Sequence, residues 1–152
     1  MKETKKLRIK PPHIAFLLLF LSWLLNYLFP QFKFNNNPYN KIGILFIILG
    51  LSLTFSSFYF FNKNKTPILP GQKPTVMVLE GLYKFTRNPM YLGVTTALFG
   101  FSLYFGNFLS LLSPIIFFLI INSVFVPFEE KLLENVFGKK YTDYKKKVRR
   151  WL

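Results

Sequence analysis

Four apolar runs dominate this chain and decide what it can fold into. They cover roughly residues 13–29, 42–61, 91–105 and 108–128. Runs of this length read as membrane-spanning helices, which need about 17–25 residues each. The chain has 152 residues, of which 51% are hydrophobic and 20 are phenylalanine. A soluble domain of that size has too little interior to hide so much apolar surface. The third run is short for a span, so it is expected to borrow length from Asn88 to Met90 or to tilt little. Gly106-Asn107 is a turn signal between the third and fourth runs, which makes them an antiparallel hairpin. The first run follows a basic segment as a signal peptide would. However, Phe29-Pro-Gln-Phe-Lys33 offers no small-residue cleavage site, so the run is read as a span.

Charge sets the orientation. Lys2, Lys5, Lys6, Arg8 and Lys10 precede the first span, and only Lys33 and Lys41 lie between the first and second. Lys63, Lys65, Lys73, Lys84 and Arg87 lie between the second and third. The remaining eight basic residues, from Lys131 to Arg150, follow the fourth. With four spans, all but two of the 20 cations share one side, which the positive-inside rule assigns to the cytoplasm. The expectation is one all-α membrane domain over residues 1–152. Both termini are cytoplasmic, a cytoplasmic loop precedes the hairpin, and an amphipathic helix ends the chain. Phe137, Tyr141, Tyr144, Val148 and Trp151 give that last helix its apolar stripe at spacings of three and four. The net charge of +14 suits anionic lipid, and no groove-reading or stacking motif directs it to nucleic acid. With no cysteine and only His13, neither a disulfide nor a thiolate or histidine zinc site can form.

Two polar clusters flank the hairpin. The first, Gly81-Leu-Tyr-Lys-Phe-Thr-Arg-Asn-Pro-Met-Tyr91, enters it, and Glu129-Glu130 leaves it. Each residue has a plain and a chemical reading. Asn88-Pro89 is a helix start with an N-cap and a first-turn proline, or a ligand contact. Arg87 snorkels to lipid phosphate or serves a site. Tyr83 and Tyr91 are interfacial aromatics or walls of a pocket. Glu129 and Glu130 pair with Arg87 or tail lysines, or bind a cation or hydroxyl. Thr75-Val-Met-Val-Leu79 is too short to span, and irregular backbone there leaves amide groups free for a ligand. Gly93, Ala97 and Gly100 form a small-residue stripe suited to packing against another helix. Pro114 and Pro127 are positioned to kink or end the fourth span.

The segment Glu80-Gly-Leu-Tyr-Lys-Phe-Thr-Arg-Asn-Pro-Met-Tyr-Leu-Gly93 is followed by Glu129-Glu-x-x-Leu-x-x-x-Phe-Gly-x-x-Tyr-x-x-Tyr-x-x-x-Val-Arg-Arg-Trp151. Together they resemble the integral-membrane methyltransferases related to isoprenylcysteine carboxyl methyltransferase and the phospholipid N-methyltransferases, above all the small bacterial members. The resemblance covers roughly Thr66 onward. It implies S-adenosylmethionine as cofactor, a lipid or lipophilic acceptor, and placement in a bacterial cytoplasmic membrane. It implies a cofactor site made by Thr75, Val76, Met77, Val78, Tyr83, Asn88, Pro89, Met90, Tyr91 and Glu129. Arg87 and Glu130 complete the motifs as the candidate catalytic pair, and no metal is implied. Prenylcysteine enzymes carry histidine where this chain has Asn88 and Thr75, which points away from a prenylcysteine substrate. The competing reading is a membrane assembly or interaction protein that keeps the fold without the chemistry.

Overall fold

The computed structural model describes residues 9–34, 37–67 and 71–152. Lys2, Lys5, Lys6 and Arg8, the Asn35-Asn36 part of the outer loop, and Pro70 lie outside the described residues. Among those described, the fold is all helical, with isolated bridges in place of strands. Helix α1 is Pro11–Leu28, α2 is Asn37–Lys63 and α3 is Pro89–Phe105. The chain then continues through a 3-10 turn (Phe108–Leu111), α4 (Leu112–Ile120), a π-helical turn (Ile121–Phe125) and α5 (Val126–Phe137). Helix α6, Lys139–Lys147, follows.

Among the described residues, three helical stretches are long and apolar enough to cross a membrane: Pro11–Leu28, Asn40–Lys63 and Phe108–Phe137. Helix α3 is apolar and has 17 residues. It starts at Pro89, so it does take residues ahead of Tyr91, as its short apolar run requires. Much of the apolar surface faces outward, including Phe16 at 72% and Phe55 at 66% exposure. Such residues are stable there only against lipid.

Helices α2 and α3 pack backbone to backbone, because glycines meet across the contact. A Cβ added at Gly50 would stand 2.4 Å from the Ala97 amide nitrogen, and one at Gly93 would stand 2.7 Å from the Gly50 carbonyl. Gly43 and Gly100 repeat the contact two turns away, where a Cβ at Gly100 would lie 2.6 Å from the Ile47 nitrogen. The small-residue stripe on α3 therefore does pack against a helix. Helix α1 docks on the second hairpin arm through serines. Ser110 Oγ donates to the Ser22 carbonyl at 2.9 Å, and Ser102 Oγ donates to the Ser110 carbonyl at 2.7 Å. Hydroxyls of this kind hold helices together where water is absent.

Gly106 closes α3 in the left-handed region at φ 67°, and the Asn107 carboxamide oxygen accepts from the Leu109 amide at 2.9 Å. Asn107 Nδ2 also donates to the Phe29 carbonyl at 3.0 Å. The end of α1 and the hairpin turn thus share one end of the molecule. The other end gathers the start of α1, the end of α2, the start of α3 and the C-terminal segment. The apolar cluster of Leu18, Leu98, Phe117, Ile121, Phe125 and Val126 lies beneath that second end, with Ile14 and Trp151 packed on it.

Three expectations are corrected. Neither proline ends the second hairpin arm. Pro127 stands in the first turn of α5, and the π-turn just ahead absorbs the hydrogen-bond mismatch, so helix continues to Phe137. Glu129 and Glu130 consequently sit inside a helix rather than after one. The amphipathic tail is not one helix either. Gly138, at φ 51°, separates α5 from α6, and Val148 to Trp151 lie outside any helix, with Arg149 in an isolated bridge. The tail leaves the helix because the Arg149 carbonyl accepts from the Arg87 amide at 3.0 Å, in a parallel bridge between Thr86 and Arg149.

Candidate functional site

A concavity opens at the end where the loop, the hairpin and the tail converge. It encloses about 110 Å³ within a wider hollow of about 750 Å³ that is open to solvent. Val76, Met77, Val78, Tyr83, Arg87, Asn88, Met90, Tyr91, Glu129 and Glu130 all line it. Of the residues expected from sequence, Thr75 and Pro89 do not. Thr75 turns away, its Oγ1 donating to the Lys65 carbonyl at 3.2 Å and its amide to Thr66 Oγ1 at 3.1 Å. Pro89 is fully buried in the first turn of α3. Both serve the walls and make no contact with the hollow.

The loop contributes backbone and aromatic surface. Residues 75–79 form neither helix nor strand. Among the described residues, Met77 and Val78 make no backbone hydrogen bond, although both are buried. Buried amides seldom stay unpaired, so these are open positions for a ligand. Gly81 turns the chain at φ 58°, and a Cβ there would meet the Phe60 ring at 2.1 Å. That turn buries Tyr83 against Phe61, with ring centroids 5.6 Å apart. Tyr144 Oη donates to the Tyr83 carbonyl at 2.6 Å and ties α6 to the loop.

The two glutamates, adjacent in sequence, differ in surroundings. Glu130 is buried and carries three cations. Arg150 reaches it with a two-pronged contact, Nε to Oε1 at 3.1 Å and Nη2 to Oε2 at 2.9 Å. Arg87 Nη1 lies 3.0 Å from Oε1 and Lys145 Nζ lies 3.5 Å from Oε2. Glu129 pairs with no cation among the described residues, and its Oε1 accepts from Tyr91 Oη at 2.5 Å. Arg87 itself is under-used. Its Nη1 is within ion-pair distance of Glu130 but off the hydrogen-bond axis, and its buried Nε has no partner. Asn88 stands at the N-cap position without capping; its Nδ2 donates to the Arg150 carbonyl at 2.9 Å.

Burial raises the phenols around the hollow. The Tyr141 hydroxyl is pushed up to about 12, chiefly by loss of water. Tyr83 and Tyr144 are raised by the same cause. All three are neutral hydroxyls at physiological pH, so none acts as a tyrosinate base.

Sequence reasoning missed Phe61, Pro74, Leu133, Tyr141 and Tyr144 as lining residues, Arg150 as the group that grips Glu130, and Asn122 as a partner of Arg150. The tyrosines stand in the apolar stripe of the expected tail helix and Arg150 among the cations of its other face, so none of them was singled out for the site. Asn122, a polar residue in an apolar run, was the available signal for a buried partner.

The chain matches the phospholipid methyltransferase family over residues 38–140. It is 29% identical over 136 residues to the protein-S-isoprenylcysteine O-methyltransferase of Schizosaccharomyces pombe, across 86% of this chain and 53% of that one. An uncharacterized protein of Haemophilus influenzae is 48% identical over 63 residues, which are 41% of this chain and all of the other. Among solved structures, the fold is similar to the eukaryotic intramembrane Ras methyltransferase, isoprenylcysteine carboxyl methyltransferase. The TM-score is 0.70 at 23% identity, covering 90% of this chain and 50% of that one. The chain thus spans about half the length of both isoprenylcysteine methyltransferases.

Proposed function

The chain belongs to the phospholipid methyltransferase family, and from that premise we propose that it transfers a methyl group from S-adenosylmethionine to a lipid or lipophilic acceptor. The observation that carries this reading is the convergence of loop, hairpin and tail residues on one hollow. The site suits that cofactor in chemistry. Glu129 offers a carboxylate with no cationic partner, Met77 and Val78 offer unpaired backbone, and Tyr83, Tyr91 and Phe61 offer aromatic faces that favour a cation. It suits it in size only as an open site. The enclosed part, about 110 Å³, is smaller than the roughly 300–1,000 Å³ of small-molecule sites, so the cofactor would extend out through the open mouth.

When bound, S-adenosylmethionine would supply a sulfonium methyl to an acceptor nucleophile, the carbon–sulfur bond breaking as the new bond forms and neutral S-adenosylhomocysteine being the leaving group. The chain's task is then alignment, which can contribute roughly 7–11 kcal/mol. Arg87, a cation in the lining of the hollow, is the group placed to hold an anionic portion of a ligand. Glu130 is already engaged by Arg87, Lys145 and Arg150, so its role is to position Arg87. A carboxylate acceptor needs no base. For an amine, Glu129 is the carboxylate without a cation, and water is the other acceptor.

We place four spans in the bilayer, α3 included, with the site facing the cytoplasm. The basic residues support this. Lys10, Lys63, Lys84 and the tail share the end that holds the site, and Lys33 lies at the other. One experiment tests reaction and face together. Vesicles of known sidedness carrying the protein receive methyl-labelled S-adenosylmethionine, which as a charged solute does not cross lipid. Label should enter the lipid extract only where the tail side faces outward. Transfer only in the opposite orientation would refute the placement. Absence of label in lipid and small-molecule fractions of both would refute the reaction.

A further inference from the structure

The C-terminal strap, Val148 to Trp151, runs beside the site, against Asn88 and Glu130 of its lining, without belonging to any helix. Its backbone is held on the loop side. Thr86 Oγ1 and Asn88 Nδ2 both donate to the Arg150 carbonyl, at 3.1 and 2.9 Å. Its side chains meet the second hairpin arm on the other side, where Asn122 touches two of them. Asn122 Oδ1 accepts from Trp151 Nε1 at 3.0 Å and lies 3.5 Å from Arg150 Nη1. The Trp151 ring packs on Phe118 with centroids 4.8 Å apart. Asn122 lies in the π-turn, Ile121–Phe125. A π-turn rotates the residues it carries relative to an uninterrupted α-helix. That rotation lets a polar side chain from an apolar span reach the strap.

The consequence runs from Asn122 to the site through Arg150. The Arg150 guanidinium forks onto Glu130, and Glu130 is the anion beside Arg87. Nothing else among the described residues accepts from the Trp151 indole. We propose that Asn122 is a positioning residue: it latches the C-terminal strap beside the site and thereby fixes Arg150, Glu130 and Arg87 in their working arrangement. The effect on ligand binding rests on the cofactor reading above; the latch itself does not.

Trp23 and Trp151 are the two tryptophans of the chain, so a Trp23→Phe background makes Trp151 the sole indole reporter. In that background, Asn122→Leu removes the acceptor at similar size, and Asn122→Asp restores it. The Leu variant should red-shift Trp151 emission, open it to acrylamide quenching, and weaken calorimetric binding of S-adenosylhomocysteine roughly tenfold. The Asp variant should keep the parent emission and affinity. A chain truncated after Arg150 should lose affinity as the Leu variant does, which covers the case where that variant fails to fold. A Leu variant with Trp151 still shielded overturns the latch. Released Trp151 with unchanged affinity, or unchanged affinity after truncation, overturns the positioning role. A parent protein that binds no S-adenosylhomocysteine refutes the cofactor reading instead, and Trp151 emission still decides the latch.

Discussion

Glu129 and Glu130 share a helix and a side-chain type, yet only one of them is committed to the fold. Glu130, 9% exposed, neutralises Arg87, which is 10% exposed, and anchors Arg150 and Lys145. Removing one partner of a buried ionic cluster leaves the others uncompensated, at about 3–5 kcal/mol. Glu130→Ala should therefore lower the thermal unfolding temperature in detergent markedly, whereas Glu129→Ala should not. An unchanged unfolding temperature for Glu130→Ala would remove its structural role. The sequence shows the acidic pair and the arginine of the loop, but it does not separate the two carboxylates. Their difference depends on a rotation of one residue along α5 and on Arg150, twenty residues away. The two readings of Asn88 stay open in the sequence for a similar reason. An N-cap position is visible locally, while the Arg150 carbonyl that takes its side chain instead is not.

At the scale of elements, α2 and α3 are bound by close backbone approach rather than by interlocking side chains. Gly43 and Gly50 face Gly100, Ala97 and Gly93 with almost no spare space. Gly50→Leu should force the pair apart and shift Phe61, at the end of α2, away from the site it lines. Thermal unfolding and cofactor affinity should fall together. Native stability in that variant would contradict the packing. The stripe on α3 was legible as a packing face because its spacing is helical. Its partner on α2 was not, because two glycines seven residues apart in a long apolar run look unremarkable. The π-turn was hidden too. Pro127 announces an irregularity, but not whether the helix stops or slips its hydrogen bonds by one residue.

At the scale of the molecule, apolar periodicity gives helices and charge gives sides, which is why the all-helical fold was readable from the chain. The tail was the exception. Its heptad-like spacing favours a helix to Trp151, but the Arg87 amide and the Thr86 and Asn88 side chains draw Arg149 and Arg150 into pairing with the loop. That pairing closes the circuit between the loop, the second hairpin arm and the end of the chain, and so builds the hollow. The whole account stands on that hollow being a cofactor site. The direct measurement is calorimetric titration of the purified, folded protein with S-adenosylmethionine, beside Glu129→Ala. The account predicts saturable binding by the parent protein and clearly weaker binding by the variant. No saturable binding at millimolar cofactor, or equal affinity in both proteins, would contradict it.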